Sequence, residues 1–152
     1  KDLHLQVEYN SATPFMYSHR PTELAYMHAG LPLAHPMGAY FSEVVGIAEA
    51  AFGPWNAQVT TVLATYHRDP SEEESYGGDL RTYRAVSGPL GPVVQELAYL
   101  DLCASYLFNP NSNLRAYAGF QRRSLTNSSD VQQSSYLYLG IRTLLFNRYY
   151  DI

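Results

Sequence analysis

Polar and apolar side chains alternate along much of this chain with a period of two, not the 3.6 of an amphipathic helix. The clearest segment runs from Leu97 to Phe108. Ala98, Leu100, Leu102, Ala104, Tyr106 and Phe108 fall on one face, and Leu97, Tyr99, Asp101, Cys103 and Ser105 on the other. Leu114, Ala116, Ala118 and Phe120 alternate with Arg115, Tyr117, Gly119, Gln121 and Arg123. Leu137, Leu139 and Ile141 alternate with Tyr136, Tyr138, Gly140 and Arg142, and Leu3, Leu5, Val7 and Tyr9 with His4, Gln6 and Glu8. Ser42–Phe52 sets Val44, Gly46, Ala48, Ala50 and Phe52 against Glu43 and Glu49; Ala57–Tyr66 alternates loosely and is rich in Val and Thr. Strict alternation predicts six strands in a sheet with two chemically different faces.

The connections sharpen this. Gly53-Pro54-Trp55-Asn56 and Asn109-Pro110-Asn111-Ser112-Asn113 are tight-turn sequences. The other links, Asn10–Tyr40, His67–Gln95 and Ser124–Ser135, are long. Asp79–Ser87 with Gly88-Pro89-Leu90-Gly91 is a candidate extra strand and turn. Long and short links therefore alternate, as in outer-membrane barrels with short periplasmic turns and long outer loops.

Composition narrows the classes. There are 14 Tyr in 152 residues but only 16% charged residues. Tyrosine suits half-wet surfaces such as membrane interfaces and sugar-binding faces. A net charge of −4 without a basic run argues against nucleic acid. The single cysteine, Cys103, rules out an internal disulfide framework. No apolar run approaches the ~20 residues of a membrane helix, which leaves barrel strands open.

The expected fold is all-β, an antiparallel transmembrane β-barrel, with residues 1–152 as the C-terminal portion of a single barrel domain. Six strands are too few to close a membrane barrel, the smallest having about eight. The long loops are expected outside the cell and the C-terminus in the periplasm. His4, Gln6, Glu8, Glu43, Glu49, Asp101, Arg115, Arg123 and Arg142 then face the lumen, as a cross-strand network or a polar pore. Trp55, Phe108, Tyr149 and Tyr150 would mark the periplasmic rim, and Tyr9 and Tyr40 the outer one. A soluble β-sandwich also alternates, but it rarely carries two loops near thirty residues.

One long loop is more specific. It reads Tyr17-Ser18-His19-Arg20, then Gly30-Leu31-Pro32-Leu33-Ala34-His35-Pro36-Met37-Gly38-Ala39-Tyr40-Phe41-Ser42-Glu43. With Tyr76-Gly77-Gly78-Asp79, Leu139-Gly140-Ile141-Arg142-Thr143 and Leu145-Phe146-Asn147-Arg148-Tyr149-Tyr150-Asp151, it resembles the C-terminal part of Wzi-type capsule-assembly proteins of the Bacteroidetes, including those labelled gliding-motility protein RemB. Ser75 departs from that family's Asn before Tyr-Gly-Gly. The resemblance implies an outer-membrane protein connected with capsular polysaccharide or surface motility, and carries no catalytic residues over.

The expected mode of action is binding without chemistry and without a cofactor or metal. Tyr17, His19, Tyr26, His35 and Tyr83 are the candidate ligand-binding residues, since aromatic faces stack on sugars. The expected partners are outer-membrane lipid, surface polysaccharide and other outer-membrane proteins. His19, His28, His35 and Glu23 share one loop, but their spacing matches no metal motif, and hydrogen bonding within the loop is the simpler role. Glu72, Glu73 and Glu74 read as a solvated loop tip. Ser18 beside His19 does not make a dyad, because neighbours on one strand point apart. The other classes are a structural subunit of a membrane complex, a pore and, last, a hydrolase using Ser18.

Overall fold

The computed structural model describes residues 2–20, 24–29, 31–33, 35–71, 73–79, 85–86 and 88–143. The chain is all-β. In sequence order the strands are β1 (Asp2–Ala12), β2 (Met27–His28), β3 (Leu31–Pro32), β4 (Phe41–Phe52), β5 (Trp55–Arg68), β6 (Val93–Asn109), β7 (Leu114–Asn127) and β8 (Val131–Arg142). Six of them form one antiparallel meander in the order β1-β4-β5-β6-β7-β8, and β2 pairs with β3 separately. The sheet does not close: β1 and β8 are its edges.

The register keeps the two faces chemically distinct across all six strands. Leu5, Ala48, Val59, Leu102, Phe120 and Leu137 are successive cross-strand partners on one face. One residue along, His4, Glu49, Gln58, Cys103, Gly119 and Tyr138 are partners on the other. Every residue expected to face a lumen lies on this second, polar face. Its acids are satisfied by neutral neighbours: Asn56 Nδ2 donates to Glu49 Oε1 at 2.6 Å. Asp101 accepts from Gln121 Nε2 at 3.2 Å and from the Tyr138 hydroxyl at 2.7 Å.

Beside these bonds, tyrosine covers glycine across the β7–β8 pair. Tyr117 is the partner of Gly140, and Tyr138 of Gly119. A Cβ on Gly140 would lie 2.5 Å from the Tyr117 hydroxyl, so the ring occupies the space the missing side chain leaves.

The strands extend past the alternating segments, and this corrects the expected loops. The link placed at Ser124–Ser135 is instead a tight hairpin of residues 128–130. Leu125 pairs with Gln132 and Thr126 with Val131, and Asn127 Oδ1 accepts from Ser129 N at 3.3 Å and Asp130 N at 2.7 Å. Strand pairing continues here although Arg122, Ser124, Gln133 and Ser135 stand where the apolar face would continue, so alternation stops marking the strand before the ladder ends. Likewise β6 begins at Val93. The candidate strand Asp79–Ser87 lies partly outside the described residues; its Val86 makes one isolated antiparallel bridge to Ser75.

No large side chain is fully buried among the described residues. The apolar face is bare: Leu63, in the middle of the sheet, is 57% exposed and Leu137, at its edge, 81%. Among the described residues the core is one small cluster on the polar-face side. Ala12, Phe41 and Tyr66 are buried there, with Tyr17, Met37, Leu97 and Leu125 packed against them.

Candidate functional site

The two long connections meet at one end of the sheet and pack on each other. Tyr76-Gly77-Gly78-Asp79 wraps the carboxylate of Asp69, at the exit of β5. Asp69 accepts from Tyr76 N at 2.8 Å, Gly78 N at 3.4 Å, Asp79 N at 3.2 Å and Ser75 Oγ at 3.2 Å. Charged acceptors make the stronger bonds, so one acid organises the whole turn. Gly77 has φ +91°, and a Cβ there would lie 2.7 Å from both Phe15 N and Pro14 Cβ of the first loop. Phe15 N donates to Gly77 O at 3.2 Å, which joins the loops. The glycine pair therefore serves close backbone contact.

The first loop is fastened by His35. Met37 N donates to His35 Nδ1 at 3.3 Å, so Nδ1 is the bare nitrogen and Nε2 carries the proton. Nε2 then donates to Glu43 Oε1 at 2.8 Å, where Asn10 Nδ2 also donates at 2.9 Å. The ring stacks on Phe41 with centroids 4.4 Å apart. Glu43 is buried, with 6% of its surface exposed. Loop, β1 and β4 thus converge on one carboxylate. A second fastening joins Tyr40, whose φ of +57° is unusual for a side chain of this size. Its carbonyl accepts from His67 N at 3.0 Å and His67 Nδ1 at 3.2 Å, and the rings stack at 3.8 Å.

These contacts divide the candidate residues. Tyr17 and Tyr26 come together, with rings 6.1 Å apart and Tyr26 N donating to Tyr17 O at 2.8 Å. Tyr26 remains 55% exposed, and His19 is exposed beside the pair in sequence. His35 is turned inward and committed to Glu43. Tyr83 lies outside the described residues, as do Tyr149 and Tyr150 of the expected rim. Ser18 Oγ donates to Phe15 O at 3.0 Å, a turn bond, and has no histidine in that role. Among the described residues no three His, Cys, Asp or Glu converge as a metal site would need.

Glu74 corrects the expected solvated tip. It is buried, with its Oε2 3.2 Å from the Tyr76 hydroxyl, which also accepts from Gly88 N at 3.0 Å. The triple-Glu run hides this, because only the fold turns one member inward. Asn10 and Asp69, which organise the loops, carried no sequence signal beyond residue type.

Comparison with protein-family models, with curated proteins and with solved structures gives no match to this chain. What the arrangement offers by itself is a braced pair of loops, with exposed aromatic and imidazole groups, set over one end of a two-faced sheet.

Proposed function

We propose that this chain supplies strands of an outer-membrane β-barrel and acts at the cell surface by binding, in the assembly or attachment of capsular polysaccharide or in gliding motility. The observation that carries the reading is which face is covered. In a soluble sandwich a second sheet packs on the apolar face. Here the loops and the small core lie on the polar face, while the apolar face has no protein over it among the described residues.

Two features of the apolar face favour lipid as its cover. Phe52, Trp55, Tyr106 and Phe108 gather at the end with the short turns; the Trp55–Tyr106 and Tyr106–Phe108 ring centroids are 4.8 and 4.9 Å apart. Such an aromatic group fits a membrane rim. The opposite limit of the apolar band also shifts across the register. It extends to Tyr9 on β1, Val44 on β4 and Leu63 on β5, but stops at Phe120 on β7 and Leu137 on β8, followed by Arg122 and Ser135. The shift amounts to four residues, about 13 Å along the strand, over five spacings of about 4.8 Å each. That slope of about 30° is close to the tilt of barrel strands. At the limit, a groove of about 380 Å³ joins Tyr9, Val44 and Leu63 of the apolar band to Ser42, Thr65 and Glu96 beyond it, a change from apolar to polar lining that suits the boundary between acyl chains and headgroups.

The edges β1 and β8 require further strands, because lipid does not tolerate unpaired backbone. The long loops then cover the outer mouth, and Tyr17, Tyr26 and His19 present ring faces and hydrogen-bonding groups to a glycan. The resemblance to Wzi-type proteins supplies the polysaccharide or motility context. The test is membrane fractionation with gel mobility before and after boiling, followed by polysaccharide binding by wild type and Tyr26→Ala. Outer-membrane partition, a mobility shift and binding weakened by Tyr26→Ala are expected. A soluble protein whose mobility does not respond to boiling overturns the barrel; a barrel indifferent to polysaccharide overturns the binding role alone.

A further inference from the structure

At the short-turn end, β7 and β8 place two like charges opposite each other. Arg115 and Arg142 are direct cross-strand partners. Both lie on the polar face, in the column of Tyr117 and Gly140. Like charges directly opposite on a sheet repel and destabilise it, and the local structure fixes Arg115 and the end of β8. Arg115 Nε and Nη2 donate to Asn113 Oδ1 at 3.2 and 2.7 Å, a neutral acceptor that aims the guanidinium without cancelling its charge. Thr143 Oγ1 donates to Ser112 O at 2.9 Å and ties the end of β8 to the turn before β7.

Nothing described neutralises them. No carboxylate among the described residues is paired with either arginine. Of the polar-face acids, Asp101 and Glu49 are engaged by Gln121, Tyr138 and Asn56, and Asp2, in the next row on that face, lies on β1, four strand spacings from Arg115. Two guanidiniums in register offer planar forks of N–H donors, which match the oxygens of a phosphate or carboxylate.

We infer that Arg115 and Arg142 form an anion site on the polar face at the short-turn end, binding a phosphate or carboxylate group between the two guanidiniums. The inference rests on the sheet register and not on what covers the apolar face. It therefore fails or survives separately from the membrane reading.

The experiment is thermal unfolding of the full chain, followed by Trp55 fluorescence, for wild type and Arg142→Gln. Each is melted in sodium chloride, inorganic phosphate and glucuronate at one ionic strength. Wild type is expected to gain a few degrees in phosphate or glucuronate over chloride. The better of the two assigns the group. Arg142→Gln loses that gain, yet melts in chloride at or above wild type, because the repulsion is gone. A wild type indifferent to both anions overturns the site. So does a gain that Arg142→Gln keeps, which is a general salt effect. A lower melting point of Arg142→Gln in chloride also overturns it, since the chain then neutralises the pair from within.

Discussion

Tyr138 covers Gly119 on the neighbouring strand so closely that a Cβ there would fall on its ring and 2.6 Å from the carbonyl oxygen of Leu102. The ring can give way, but the Leu102 carbonyl belongs to the β6–β7 ladder and cannot. Gly140 differs: the three atoms nearest an added Cβ all belong to the Tyr117 side chain. Gly119→Ala is therefore expected to cost about 1–3 kcal/mol, in the range of overpacking, and Gly140→Ala less. Urea unfolding midpoints of the two variants measure the order; equal costs would refute it.

Adjacent residues on β5 should respond oppositely to charge if lipid covers the apolar face. Val59 lies on that face, while Thr60 lies on the other, opposite Asp101. Val59→Arg is expected to destabilise by about 2–4 kcal/mol, as arginine does near mid-bilayer. Thr60→Arg should be nearly neutral, since it gains a carboxylate neighbour. Unfolding free energies of the two variants in lipid check this.

Depth offers a separate test. Val7 and Ser135 belong to the same cross-strand row through Gly46, Thr61, Leu100 and Arg122. With tilted strands they sit at different heights. Spin labels on Val7→Cys and Ser135→Cys, with Cys103 replaced by Ser, should differ: oxygen quenches the first more strongly, a water-soluble relaxation agent the second. Equal responses would remove the tilt and weaken the membrane reading.

Asp69 is expected to control the long loops and leave the sheet alone. Asp69→Ala removes the acceptor of four hydrogen bonds, and buried donors left unpaired cost about 1–3 kcal/mol. Limited proteolysis should then cut within residues 69–92, with the strands still protected. Cutting no faster than in wild type would show that the glycine contacts with Phe15 hold the loop unaided.

Period-two alternation was enough to read an all-β chain with two unlike faces and to place the middle of each long strand. It also placed the charged residues of the polar positions on one face, because every register partner keeps the face that its parity gives it. It failed where that chemistry ends: β7 and β8 run on through Thr126 and Val131 because backbone pairing does not depend on side-chain polarity. The candidate site was less legible. Tyr17 and Tyr26 meet as one pair with Tyr26 exposed, and His35, read both as a hydrogen-bonding loop residue and as a candidate ligand contact, bonds Glu43. Imidazole chemistry looks the same in sequence whether it points outward or into a core.

The sequence by itself determined the all-β class and the two faces, because alternation is local and a strand transmits it without reference to anything distant. Tertiary structure alone decided that Asn10 and His35 share the Glu43 carboxylate, that Asp69 holds the Tyr-Gly-Gly turn, and that Arg115 opposes Arg142. These contacts depend on strand register and loop packing, which bring together residues far apart in the chain by free energies summed over the whole sheet.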